Sequence, residues 1–208
     1  MDEVDQIFKQ VLRELWPLFK EAGFRRASQN FAVQSDECWA VVNFQKSRWS
    51  AADEKTFYIN VAVTPKRLMA FRDQPTEKPP IYYTCISVWR AGQWGPPGSP
   101  SQWTVRDEAS GKQTVDHLRV LLSDWVIPAL KSRMTESALT ASWGSVPNDY
   151  RQLKAKSVLL AADGAVAELR QLIFELFERF GKGVTDEGVK IHYEQLRTKF
   201  PDTMRRVT

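Results

Sequence analysis

Cys38-Trp39-Ala40-Val41-Val42-Asn43-Phe44-Gln45-Lys46-Ser47, a polar break over Arg48–Glu54, then Lys55-Thr56-Phe57-Tyr58-Ile59-Asn60-Val61-Ala62-Val63 decide the fold. Both runs are rich in β-branched and aromatic residues, and a short polar loop parts them. That pattern predicts two paired strands of an antiparallel sheet. Strand side chains alternate, so Phe57, Ile59, Val61 and Val63 share one face and Thr56, Tyr58, Asn60 and Ala62 the other. The first face reads as core. The second is mixed, which predicts one wet side.

On the N-terminal side, Val4, Ile7, Phe8, Val11, Leu12, Leu15, Leu18 and Phe19 recur at the helical period, with Asp2 placed to cap and Gly23 to stop the helix. Pro17 predicts a kink or a fresh turn. A first strand is expected around Asn30–Gln34, turning through Ser35-Asp36 into the central pair. On the C-terminal side, a helical turn at Lys66–Phe71 and a Pro-bearing loop at Asp73–Pro80 lead to a strand over Ile81–Trp89. Gly92–Pro100 reads as a long irregular loop and Gln102–Arg106 as a short strand. Helical periodicity returns at Thr114, with Pro128 predicting a bend near Trp125. A weaker helix follows over Met134–Trp143, closed by Gly144. Pro147-Asn148-Asp149 signals the next start, Gly181-Lys182-Gly183 a later stop, and a last helix runs from Asp186 to Lys199 before a frayed tail. A helix, then strands, then helices make an α+β domain: an N-terminal helix, a mainly antiparallel sheet of four to six strands, and C-terminal helices packed against it. The organisation expected is a sheet domain over residues 1–145 and a helical segment over 146–208, packed on the first.

Gly23-Phe24-Arg25-Arg26, Phe31, Trp39 with Val42-Asn43-Phe44-Gln45-Lys46-Ser47, and Phe57-Tyr58-Ile59-Asn60-Val61 resemble a family of bacterial domains of unknown function numbered 4304. The likeness is strongest over Trp39–Val63. After Cys85 the chain reads Ser87-Val88-Trp89-Arg90-Ala91-Gly92, where the family carries a basic-aliphatic-Gly stretch. The resemblance implies a bacterial cytosolic protein and no particular reaction.

The formal surplus of +4 is matched by residues 44–72 alone, where Lys46, Arg48, Lys55, Lys66, Arg67 and Arg72 face Asp53 and Glu54. That is smaller than a nucleic-acid backbone usually recruits, and it argues against such a partner. The two cysteines, Cys38 and Cys85, both fall in expected strands, and with no secretory signal they read as free thiols in a reducing, cytoplasmic compartment. No apolar run reaches the ~20 residues of a membrane span.

No motif names a reaction. His117 and His192 are the only histidines, and neither lies at ligand spacing from a second donor, so no metal and no cofactor are expected. Neither Gly92-Gln93-Trp94-Gly95 nor Gly181-Lys182-Gly183 has the strand-to-helix spacing of a phosphate loop. The chain instead has eight Trp. Large aromatics and Arg dominate recognition surfaces, so the leading expectation is a non-enzymatic protein-interaction module, immunity-like or regulatory, binding a protein partner. Its contact residues would be Arg48, Trp49, Trp89, Trp94 and Trp103, with the Gly92–Pro100 loop as the leading surface. One alternative is a small-molecule binder or enzyme with a pocket lined by Tyr58, Asn60, Tyr83 and His117; another is single-stranded nucleic acid on the Lys46–Lys55 hairpin.

Overall fold

A computed structural model describes residues 3–51, 53–143, 149–181 and 186–207. It is an α+β protein that divides into two compact units, one of Met1–Thr64 and Lys78–Glu136, the other of Pro65–Glu77 and Ser137–Thr208. The expected cap at Asp2 and the signals at Gly144, Pro147, Asn148, Lys182 and Gly183 lie outside the described residues.

The first unit is built on a six-stranded antiparallel sheet. Its strands are β1 (Arg25–Ala27), β2 (Asn30–Gln34), β3 (Cys38–Lys46), β4 (Lys55–Pro65), β5 (Ser87–Arg90) and β6 (Trp103–Val105). The order is β1-β2-β3-β4-β5, and β6 also pairs with β4. Two short strands therefore share β4: Lys55–Phe57 pairs with β6 and Asn60–Val63 with β5. The β1–β2 connection is a tight hairpin in which Ala27 faces Asn30 and Ser28 takes a positive φ of 56°.

Helix α1 (Glu3–Glu21) lays Phe8, Val11, Leu12, Leu15 and Phe19 on one face of this sheet. Phe19 stacks on Phe31 at 4.2 Å, and Phe8 meets Phe57 edge-on at 5.1 Å. Such pairs add about 1 kcal/mol beyond their area burial. The helix runs through Pro17 without ending. Pro17 leaves the Arg13 carbonyl without its helical donor, and both residues lie on the exposed face of the helix, where that loss costs least. Gly23 stops the helix at φ 89°, as its position predicts.

The other face departs from expectation. Trp39, Val41, Asn43, Asn60, Ala62 and Thr64 are all buried and Gln45 and Tyr58 half-buried, so this face is mostly dry as well. Its side-chain amides are bonded to one another.

Three further expectations are corrected. Tyr82–Thr84 is a turn of 3-10 helix and β5 begins only at Ser87, which leaves Cys85 outside any strand. Thr84 donates its amide and its hydroxyl to Ile81 O at 2.9 and 2.8 Å, and that local bonding outcompetes the β-propensity of Tyr-Tyr-Thr. Helix α3 (Glu108–Val120), capped by Asp107 accepting from Ser110 N at 2.7 Å, widens into π-helix over Leu121–Val126 before α4 (Ile127–Lys131). Pro128 supplies no donor for the Asp124 carbonyl, and the π turns absorb that mismatch in place of a simple bend.

The third correction lies in the second unit, an all-helical cluster of α2 (Lys66–Phe71), α5 (Glu136–Ala141), α6 (Tyr150–Asp163), α7 (Val166–Phe180), α8 (Asp186–Lys199) and α9 (Pro201–Val207). Its centre is Leu153, Leu172, Leu176 and Val189. Asp149 caps α6, accepting from Arg151 N at 2.6 Å, as its start signal predicts. The tail expected to fray is the helix α9. Met204 and Val207 are buried, and Arg170 donates to the carbonyls of Arg206 and Val207 at 2.6 and 2.8 Å. Those bonds satisfy end carbonyls that would otherwise loosen.

Candidate interaction surface

The Gly92–Pro100 segment is fixed at both ends. Ala91–Trp94 form a 3-10 turn in which the Gln93 side chain accepts from Arg90 N at 2.8 Å. Trp94 lies against Trp89 at 4.8 Å, and the Arg133 guanidinium sits 5.0 Å above its ring while donating to Ala129 O at 2.7 Å. Trp89 and Trp94 thus pin the loop, a cation–π contact adding about 1 kcal/mol. A β-carbon on Gly92 would collide with the Pro100 carbonyl oxygen, and one on Gly95 would reach Leu121 Cδ1 at 2.5 Å. Glycine is what lets the chain fold this tightly on itself and onto the π segment. Ser99 closes the tip, donating its amide and hydroxyl to Pro96 O at 3.0 and 2.7 Å.

That tip faces the end of α3. Pro96, Pro97, His117, Val120, Leu121 and Trp125 line a groove of about 390 Å³. Val120 is 57% and Trp125 44% exposed, unusual for large apolar side chains on a helix whose other face is core. The helical phase changes at the π turns, and Trp125, which shares an apolar stripe with Leu118 and Leu122 in the sequence, ends up facing solvent.

The other sequence-derived candidates scatter. Arg48 and Trp49 stand on the β3–β4 connection, where Trp49 is 92% exposed. Trp103 is buried; it stacks on Phe57 at 6.2 Å with its indole Nε1 lacking a hydrogen-bond partner among the described residues, so it belongs to the core rather than to a surface. His117 lines the groove, Tyr83 points outward beside Tyr82, and only Tyr58 and Asn60 of that foursome meet.

They meet in a polar ladder across the second sheet face. Asn43 Nδ2 donates to Asn30 Oδ1 at 2.7 Å, and Asn60 Nδ2 donates to Asn43 Oδ1 and Gln45 Oε1, both at 3.0 Å. Tyr82 OH donates to Gln45 Oε1 at 2.8 Å, and Arg90 donates to Asn60 Oδ1 with its guanidinium 4.4 Å over the Tyr58 ring. Sequence reasoning missed Asn30, Asn43, Gln45, Tyr82 and Arg90. The signal was the two-residue spacing of Asn43 and Gln45 on the face that also carries Asn60.

Nucleophiles and metal ligands do not assemble. Cys38 and Cys85 are both buried. His192 in α8 is buried, its Nε2 2.7 Å from Ser157 Oγ. Ser157 donates its one hydroxyl proton to Lys154 O at 2.8 Å, which leaves its oxygen to accept from an Nε2–H of the ring. Burial, then the charges of Lys154 and Arg72, push its pKa down from 6.5 to about 3. Among the described residues, no group of three or more His, Cys, Asp or Glu converges, and no helix is long and apolar enough to cross a membrane.

No curated protein and no solved structure matches the chain significantly. A family model, described as a domain of unknown function (DUF4304), matches residues 15–132, which take in α1 from Leu15, the whole sheet and α3 through α4. With more than half of its length inside that match, the chain belongs to the DUF4304 family.

Proposed function

We propose that this chain is a protein-interaction module of the bacterial cytosol that holds an apolar segment of a partner protein between the Pro96–Ser99 tip and the end of α3. The observation that carries the reading is the exposure of Trp125 and Val120 beside Pro96 and Pro97 on a loop that is already fixed. A preordered aromatic and proline surface loses little conformational entropy on binding, and it repays the exposure of an indole. An immunity-like or regulatory role suits a domain that acts by occupying a partner.

Affinity capture from a bacterial host that carries this chain tests the reading, comparing the wild type with Trp125→Ala, Val120→Asp and, as a surface control, Trp49→Ala. A partner retained by the wild type and the control but lost by both groove variants, each melting within a few degrees of the wild type, supports it. A partner retained equally by all four, or lost only with Trp49→Ala, sinks it.

A further inference from the structure

A second concavity lies on the opposite chemical footing, between α1 and the β1–β2 hairpin. It has a volume of about 580 Å³, within the range of small-molecule sites. Gln6, Lys9 and Arg13 are spaced at three and four residues, which sets them on one stripe of α1. Arg26 enters from β1 and Lys46 from the end of β3, so four cations converge from three elements. Ser28 and Gln29 of the hairpin turn add polar groups, and no carboxylate is among the lining residues. The acid at the edge is Asp5, bonded to Lys46 at 2.7 Å. That hydrogen bond, then the charges of Lys46, Lys55 and Lys9 against the cost of burial, hold the Asp5 carboxyl below its ordinary range. Four cations and no carboxylate among the lining residues give the cleft a net positive field.

Phe8, the aromatic among the lining residues, is buried, and the two cations nearest the core already lie over rings. Lys46 Nζ sits 5.0 Å over the Phe8 ring, and Arg26 lies 5.5 Å over Phe31 while its Nε donates to Ser28 O at 3.1 Å. Recognition of single-stranded nucleic acid relies on open aromatic faces for base stacking. What this cleft offers instead is two held cations, Arg26 and Lys46, facing Lys9 and Arg13, with amide and hydroxyl donors between them, a set suited to oxyanions.

From this we infer that the cleft between α1 and the β1–β2 hairpin binds a small multiply charged phosphate compound through its phosphate chain, with Lys9, Arg13, Arg26 and Lys46 as ligands and no contact that reads a base. The cleft is separate in its residues from the groove at Trp125, and the two can be tested apart.

Titration calorimetry of the full chain with inorganic tripolyphosphate, ATP and an oligo(dT) strand at two salt concentrations tests it. The expected result is binding of tripolyphosphate and ATP with affinities within about threefold of each other, weakening as salt rises. The Lys9→Gln/Arg13→Gln double variant should weaken both at least tenfold, with an unchanged melting temperature. Lys131→Gln/Lys112→Gln, which removes the same charge from outside the cleft, should leave them unchanged. Absence of tripolyphosphate binding, equal loss in the two double variants, ATP binding without tripolyphosphate binding, or tighter binding of oligo(dT) would each overturn the inference.

Discussion

Lowering the pH from 7 to 5 should destabilise the helical unit through one side chain, His192. In the folded chain its imidazole is buried and neutral with a pKa of about 3, whereas the unfolded chain titrates at the ordinary 6.5. Between those values the unfolded state binds the extra proton. Stability is therefore complete above pH 6.5 and is lost progressively as the pH falls towards 3. At pH 5 the gap from 6.5 is 1.5 pH units. At about 1.4 kcal/mol per unit, that costs about 2 kcal/mol. Carboxylates also titrate over this range, so the measurement is a difference. Hydrogen exchange of amides in α6 and α8 at pH 7 and pH 5, corrected for intrinsic rates, gives the opening free energy for the wild type and for His192→Gln. The glutamine amide keeps a donor for Ser157 but cannot be protonated. The wild type should lose about 2 kcal/mol more than the variant. Equal losses, or an imidazole signal of His192 with a midpoint near 6.5, would refute the reasoning.

Asn60→Ala should cost about 3 kcal/mol in urea denaturation, because it strands the Asn43 carbonyl oxygen and the Arg90 guanidinium, each worth roughly 1–3 kcal/mol when unpaired. Trp94→Ala should cost about 2 kcal/mol by loss of the Trp89 and Arg133 contacts, while Trp125→Ala should stay within about 1 kcal/mol of the wild type in the same assay. Gly92→Ala should destabilise by at least about 2 kcal/mol through collision with Pro100, whereas Gly98→Ala, with open space around it, should cost only the roughly 1 kcal/mol of its positive φ. Arg170→Ala should speed exchange of the amides in α9 with little effect on α6.

The central strands were legible because Val, Ile, Phe and Trp dominate them, and the apolar stripe of α1 is equally plain. Burial of the second sheet face was not legible. Asn43, Gln45 and Asn60 look like solvent-facing polar residues, and only the structure shows that they satisfy one another. Tyr82–Thr84 misled because β-propensity is weaker than a local hydroxyl bond to the backbone. The loop at Gly92–Pro100 stands out in the sequence by its Pro and Gly content, but which indole packs and which is exposed does not. Trp89 and Trp94 hold it in place, and the exposed ring at its mouth is Trp125, which the helical period had assigned to the core. A change of phase at a π turn leaves no trace in a periodicity count. The Lys9, Arg13, Arg26 and Lys46 cluster was invisible for a different reason: it is assembled from three elements far apart in sequence, and only Lys46 lay in the segment noted for its charge.

The sharing of β4 by two collinear partners has an engineering consequence. Because β5 and β6 each take their register from β4 independently, the chain between them is not a ruler that sets either pairing. Extra residues spliced in at Gly98, whose surroundings are empty, would swell outward without sliding a single rung of the sheet. The same scaffold could thus display foreign loops of different lengths, with the tolerated length set by closure entropy that grows only slowly.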